Sequence, residues 1–372
     1  MNLGFSLYPD QHSLEEMTAY IKCLMQYPFK RVFLSLLQMD VHDDAMMEKY
    51  QAIIQLCKSK QLLVIADINQ SLIDQLGWNG LLVDKARAFG LDGLRLDEPL
   101  ELSQMIQVIN NRHNFRIELN ISQDNQLLEY LLKNGARKDN LIGCHNFYPK
   151  RFTGLSHEHF IQTTKNYQNL GVLSAAFITA TSASEGPWPI SEGLPTLERH
   201  RDTQSTSQLK ELIYQGLIDD VIISNQFVCE EELQRLMAAF TTERILEVEV
   251  VDDLNEAERM IIDYDHHYRN DISEYVLRST MTRIVYQAED LPSRGQAKGV
   301  KRGDLLIDNN DYGRYKGELQ IALRDFEVTE KTNIVGHITP SDLPLLAYLK
   351  PNDAFKLSIR LESPQAKQVS DS

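Results

Sequence analysis

A chain of 372 residues is too long for one small core and suits two domains, or one barrel with an extension. Its 42% hydrophobic and 24% charged residues are ordinary for a globular protein. The net charge of -15 argues against a nucleic-acid or anionic-membrane partner, although a local Arg and His cluster can still hold a single phosphate.

No stretch reaches the roughly 18 uninterrupted apolar residues of a membrane helix. The Met1-Asn2-Leu3-Gly4-Phe5 start has no basic segment, so no secretory signal is expected. Cys23, Cys57, Cys144 and Cys229 form no CxxC pair, which fits reduced cytoplasmic thiols and gives no metal signature.

From the start to about residue 240, short apolar runs alternate with amphipathic ones. Strands are predicted at 3–8, 31–37, 62–68, 93–96, 115–120, 141–147, 172–178 and 221–224, each followed by helical periodicity. Ser13, with Glu16 three residues on, predicts a capped start to the first helix. Eight strand-helix units in this length predict an α/β fold, a (β/α)8 TIM barrel over residues 1–240. A doubly wound open sheet is the competitor, but no Gly-x-Gly-x-x-Gly follows the first strand.

Residues 241–274 look like a polar, acidic connector, although 244–251 alternate as a strand would. From 275 to 362, β signals at 276–279, 282–286, 304–307, 318–323 and 333–338 are separated by turn residues, which predicts a small, mostly β barrel domain. Residues 363–372 form a polar tail. His266-His267 has no spaced third ligand and is expected to be a surface run.

The strand ends carry the chemistry. Alternation puts Arg95 with Asp97 on one face of the fourth strand, and Arg116, Glu118 and Asn120 on one face of the fifth. In the sixth strand, Gly143 and His145 share a face opposite Cys144 and Asn146. Charged groups do not face an apolar helical layer cheaply, so Arg95, Asp97, Glu118, Asn120 and His145 are expected inside the barrel mouth. They form either a site or an internal salt-bridge network. The sixth strand runs out into Gly143-Cys144-His145-Asn146-Phe147-Tyr148-Pro149, a candidate wall of the site, with Cys144 as packing. The long seventh loop holds Trp188, suited to stacking on a sugar ring, and Glu198-Arg199-His200-Arg201, suited to anions or hydroxyls.

Together these stretches resemble the bacterial 6-phospho-N-acetylmuramidase family over essentially the whole chain. The matching motifs are Gly4 to Pro9, Leu94-Arg95-Leu96-Asp97, Glu118-Leu119-Asn120, Gly143 to Pro149 and Thr153-Gly154-Leu155. Gly193-Leu194-Pro195-Thr196-Leu197-Glu198-x-His200-Arg201, Asp219-Asp220-Val221-Ile222-Ile223 and Tyr312-Gly313-Arg314-Tyr315-Lys316-Gly317-Glu318-Leu319-Gln320-Ile321 complete them. The resemblance implies a TIM barrel followed by a small cyclophilin-like β domain. It also implies cytoplasmic hydrolysis of 6-phospho-N-acetylmuramyl-N-acetylglucosamine, a phosphorylated amino-sugar disaccharide of peptidoglycan recycling.

On that reading Asp97 and Glu118 are the catalytic carboxylates, in a retaining, inverting or substrate-assisted course. Arg95, Asn120, His145, Asn146 and Glu198 are expected to bind sugar hydroxyls or the acetamide, and Tyr148 and Trp188 to pack on a ring. Asp308, Asn309, Tyr312 and Tyr315 are expected across the barrel mouth, and His200, Arg201 and Arg314 at the 6-phosphate. No cofactor and no metal is expected, and the oligomeric state stays open. Two alternatives are another TIM-barrel phosphosugar enzyme and a non-catalytic protein that binds a muropeptide fragment.

Overall fold

The computed structural model describes residues 1–187, 192–295 and 298–360. It divides into two units, Met1–Phe240 and Thr241–Ser372.

In the first unit, eight parallel strands pair in sequential order and close into a barrel. They are β1 (Asn2–Leu7), β2 (Phe29–Ser35), β3 (Leu63–Ile68), β4 (Gly93–Leu96), β5 (Arg116–Asn120), β6 (Leu141–Cys144), β7 (Leu173–Ile178) and β8 (Asp220–Ile223). Most of their residues are buried on both faces, as strands between a helical layer and a filled interior must be.

The helices are α1 (Leu14–Leu24), α2 (Asp44–Ser59), α3 (Gln70–Gln75), α4 (Leu82–Ala88), α5 (Leu102–Ile109), α6 (Leu127–Lys133), α7 (His157–Asn169), α8 (Ser205–Gln215) and α9 (Glu230–Ala239). Ser13 and Glu16 form the expected reciprocal cap on α1, and Asp43, Asn69 and Ser156 cap α2, α3 and α7. Each such cap contributes about 1 kcal/mol. The third crossover holds two short helices, because Gly77 and Gly80 both take positive φ between them.

Residues paired across a parallel sheet point the same way, so register fixes what fills the barrel. Phe33, Cys144, Ala175, Phe177 and Ile222 pack there with Tyr8, and the Phe33 and Phe177 rings meet edge-on at 5.3 Å. Toward the strand N-termini, Arg31 is 1% exposed and joins Glu118 to Asp220. The interior is therefore packed, with one ionic layer at its base.

The second unit contains β9 (Ile245–Val250), α10 (Glu256–Ile262), β10 (His266–His267), β11 (Val276–Ser279), α11 (Thr282–Val285), β12 (Lys298–Val300), β13 (Asp304–Asp308), β14 (Leu319–Ala322), β15 (Phe326–Val328), β16 (Thr332–Ile338) and β17 (Ala354–Ile359). Seven of the strands form one sheet in the order β10-β17-β9-β16-β13-β14-β11, and β12 pairs with β15. The sheet curls until its edges approach: Arg269 N donates to Arg278 O at 3.1 Å.

Three expectations are corrected here. The 241–274 stretch is not a connector, since β9 lies between β17 and β16. Residues 282–285 form a helical turn rather than a strand, with Ile284 and Val285 both exposed instead of alternating. His266 is not on the surface; it is buried and stacked on Phe355 at 5.1 Å. The polar tail from 363 lies outside the described residues. Among the described residues no helix is long and apolar enough to cross a membrane.

Candidate active site

At the C-terminal ends of the barrel strands, Arg95 is the hub. Its guanidinium donates from Nη1 to Asp97 Oδ1 at 3.2 Å and from Nη2 to Asn146 Oδ1, while its Nε has no partner. Arg95 is 4% exposed, but the Asp97 side chain is 41% exposed and faces solvent. A buried cation thus presents a carboxylate to whatever enters the mouth. Asn146 is held from behind, since its N–H donates to Ser122 Oγ at 2.8 Å and its carbonyl accepts from Thr196 Oγ1 at 2.9 Å. Tyr148 is half-buried two residues on, and burial raises its hydroxyl above the ordinary range.

Sequence reasoning passed over Asp67. It pairs in register with Arg95 across β3 and β4, is 5% exposed, and accepts from Leu36 N at 2.9 Å. Burial pushes its carboxyl up to about 7, against the pull of Leu36 N–H and Arg95, and Asp97 adds to the rise. The signal was available: the alternation that puts Arg95 inward on β4 puts Asp67 inward on β3.

Asp97 and Asn120 also border a crevice of about 30 Å³ with apolar walls from Leu96, Pro99, Met105, Leu119 and Leu127. Asn120 itself is engaged, accepting from Ser122 N at 2.9 Å. Beside the end of β7, a recess of about 440 Å³ is lined by Thr179, Thr181, Ser182, Ser184, Arg151 and Gly193 among others. Another recess, of about 340 Å³, sits in the helical layer around Trp78 and Val108. It contains no strand-end residue and is no candidate for the chemistry.

Glu118 and His145 differ from expectation. Glu118 does line the barrel, but it is 0% exposed and ion-paired with Arg31. Burial raises its carboxyl above the usual range, with Arg31 and Arg95 opposing. This is the internal salt-bridge alternative. His145 points out of the barrel, because Asn120 pairs with Cys144 and so Cys144, not His145, shares the inward set. Its ring packs on Phe160 at 4.6 Å, and its Nε2 lies 2.9 Å from Thr164 Oγ1 of α7. Burial lowers its pKa to about 3, so it is a neutral packing group. Gly143 shares that outward face by alternation, and glycine stands there because a Cβ would lie 2.5 Å from Ile121.

The seventh loop is built mainly as a brace. Arg201, its side chain 1% exposed, donates to Glu198 Oε1 and Oε2, both at 2.7 Å, and to the carbonyls of Tyr148, Lys150, Glu192 and Gly193. Glu198 in turn accepts from Phe152 N and Gly154 N, each at 2.7 Å. Bonding to Arg201 brings its pKa down to about 2. Gly154 is required by this contact, since a Cβ would meet Glu198 Oε2 at 2.6 Å. His200 is 2% exposed with Nε2 3.1 Å from Glu211 Oε2. Burial, with help from Arg199, lowers its pKa to about 3, so that contact is a hydrogen bond from a neutral ring rather than an ion pair. Arg201 and His200 therefore tie loops together and have no donors turned to a phosphate. Trp188 lies outside the described residues.

In the second unit, Asp308 is buried and accepts from Thr332 Oγ1 at 2.9 Å and Gln320 Nε2 at 3.0 Å. Asn309 is also buried, bonded to Glu330 O and Asn333 Oδ1. Both hold the β domain together. Tyr312 and Arg314 are exposed and Tyr315 is half-buried; the two tyrosine rings meet at 5.7 Å.

Among known proteins, the solved structure of an uncharacterized protein from B. cereus is 38% identical, covers 96% of this chain and 99% of its own, and superimposes with a TM-score of 0.84. A conserved protein of unknown function from Enterococcus faecalis is 25% identical over 97% of both chains, with a TM-score of 0.74. No curated protein matches. The family model described as 6-phospho-N-acetylmuramidase, N-terminal, matches residues 3–238, and its C-terminal counterpart matches residues 244–358. With both parts matched in order over nearly its whole length, the chain belongs to the 6-phospho-N-acetylmuramidase family.

Proposed function

We propose that the protein is a cytoplasmic glycoside hydrolase that cleaves 6-phospho-N-acetylmuramyl-N-acetylglucosamine to N-acetylmuramic acid 6-phosphate and N-acetylglucosamine in cell-wall recycling. One observation carries it: in a chain of this family, a buried Arg95 holds a solvent-facing Asp97 beside Asn146 at the ends of the barrel strands. That face is where TIM barrels do their chemistry.

Hydrolysis adds water across the glycosidic bond, with a proton to the leaving oxygen and hydroxide to the anomeric carbon. Two carboxyl groups, one to supply a proton and one to meet the sugar or the water, suit the task. In this reading Asp97 is the carboxylate that meets the sugar, either activating water or orienting the 2-acetamido group. Asp67, which holds its proton to about pH 7, is the acid reservoir behind Arg95. Glu118 is assigned to fixing Arg31 in the barrel base rather than to the reaction. Asn146 and Tyr148 are assigned to hydroxyls and a ring face, with Trp188 as a second ring-packing group.

The test is incubation of the pure protein with 6-phospho-N-acetylmuramyl-N-acetylglucosamine and, separately, its unphosphorylated twin, read by mass spectrometry. Cleavage of the phosphorylated disaccharide alone is expected. Intact substrate with folded protein would sink the glycosidase reading.

A further inference from the structure

The loop from β6 to α7 passes Asn146 and Tyr148 of the candidate site and then closes in a tight turn. Thr153 N donates to Lys150 O at 3.3 Å, with Arg151 and Phe152 at the centre of the turn. Phe152 takes φ 70 at the third place, where a positive φ favours glycine or asparagine. Its side chain is also 84% exposed, more than any other large apolar side chain among the described residues. A bulky residue in the left-handed region is strained, and a phenyl ring left in water gains nothing from burial. Two sources of stability are given up at one residue, and glycine would avoid both losses.

The surroundings enforce that conformation rather than relieve it. Glu198 Oε1 accepts from Phe152 N and Oε2 from Gly154 N, each at 2.7 Å, so one carboxylate grips the backbone at Phe152 and just beyond it. Arg201 fixes Glu198 and also donates to Lys150 O at 3.1 Å. Arg151 is paired with Asp202 by two bonds of 2.7 and 2.9 Å, and Leu155 bridges to Leu197. The brace built on Arg201 thus presents a single aromatic ring. Strain of this kind persists where the surrounding structure over-determines it, and such positions cluster at ligand clamps.

We infer that Phe152 is a specificity-determining residue whose ring is the platform for the sugar on the leaving side of the cleaved bond. The inference rests on the glycosidase reading. Asp97 and Asn146, at the strand ends, take the reacting ring. Phe152 stands further along the same loop, in its exposed turn, and that leaves it the next ring outward. The C–H face of a pyranose is an apolar surface that an aromatic face can cover. Phe152 has no polar side-chain atom, so it reads the presence of a ring rather than its charge.

The test compares the unaltered chain with Phe152→Gly in two measurements. One is KM for 6-phospho-N-acetylmuramyl-N-acetylglucosamine. The other is the inhibition constant of N-acetylmuramic acid 6-phosphate, which has the reacting ring and lacks the leaving sugar. Phe152→Gly is expected to raise KM about tenfold, the worth of one stacked ring, and to move the inhibition constant less than about twofold. Its urea midpoint should rise, because glycine fits the turn. Phe152→Trp, which restores a ring, should recover the low KM. An unchanged KM, an equal rise in both constants or a lowered urea midpoint would overturn the inference. So would a smaller sedimentation coefficient in Phe152→Gly, which would assign the ring to contact between copies of the chain. If the unaltered, folded chain leaves the disaccharide intact, the glycosidase reading fails and this inference falls with it. If the chain cleaves the disaccharide and Phe152→Gly does not separate the two constants, this inference alone fails.

Discussion

Arg95 and Arg201 are both buried arginines bonded to a nearby acid at the C-terminal side of the barrel, and they do opposite things. Arg201 makes six hydrogen bonds that use every nitrogen of its guanidinium, and its partner Glu198 is itself saturated by two backbone N–H groups. Nothing is left over for a ligand. Arg95 leaves its Nε unpartnered and holds Asp97, a carboxylate open to solvent. A group whose partners are complete builds the frame; a group fixed from behind and incomplete in front is available for chemistry. Residue type alone does not distinguish the two.

The comparison breaks if mutations at the two places act alike. Asp97→Asn is expected to lower kcat/KM by about 10²- to 10⁴-fold, the usual worth of a positioned acid or base. Its urea midpoint should stay where it was, since the side chain is exposed. Arg201→Gln should do the reverse. It strips the charge partner from Glu198 and frees four carbonyls, so a stability loss of about 3 kcal/mol or more is expected, with the folded fraction keeping its turnover. Equal stability losses in the two variants would erase the distinction.

Glu118→Gln sharpens it further. Glu118 shares with Asp97 its sequence signal, an acid at the end of a strand, and like Asp97 it is bonded to an arginine, but its side chain is 0% exposed where that of Asp97 is 41% exposed. We expect about 1–3 kcal/mol of lost stability in urea denaturation, from the unbalanced Arg31. Turnover should stay within about tenfold of the unaltered enzyme, below the cost of losing an acid or base. A loss as large as that of Asp97→Asn would restore Glu118 to the chemistry.

Eight barrel strands were legible because short apolar runs recur between amphipathic ones, and Ser13 with Glu16 announced its own cap. The inward set on β4 and β5 was legible too, since Arg95 and Glu118 have few other places to go. His145 was not, because polarity was used where register decides: a neutral imidazole is content between Phe160 and Thr164, and Cys144 fills the barrel instead. Asp67 was legible by the same alternation as Arg95, but a lone acid in an apolar run, with its partner on another strand, does not announce a role. The 198–201 cluster looked like an anion site because charge is visible in a sequence while the carbonyls that consume Arg201 are not. In the second unit, β9 was strand-like in pattern but could not be assigned a sheet without its distant neighbours β16 and β17.

Asp67 supplies the smallest and most specific prediction. Its carboxyl is held near 7 in the folded chain, whereas in the unfolded chain it takes the ordinary value near 4. Between those values the folded state binds the extra proton, so stability falls as pH rises. The contribution is complete below about pH 4, declines through the interval, and is gone above about pH 7. Asp308 behaves the same way in the second unit, so the two must be separated by substitution. Asp67→Asn should flatten the pH dependence of denaturation of the first unit between pH 4 and 7, and Asp308→Asn that of the second. If Asp67 also holds the reaction's proton, Asp67→Asn will remove the alkaline limb of the rate profile near pH 7. A flattened stability profile with an unchanged rate profile would leave Asp67 as a buried acid that only positions Arg95.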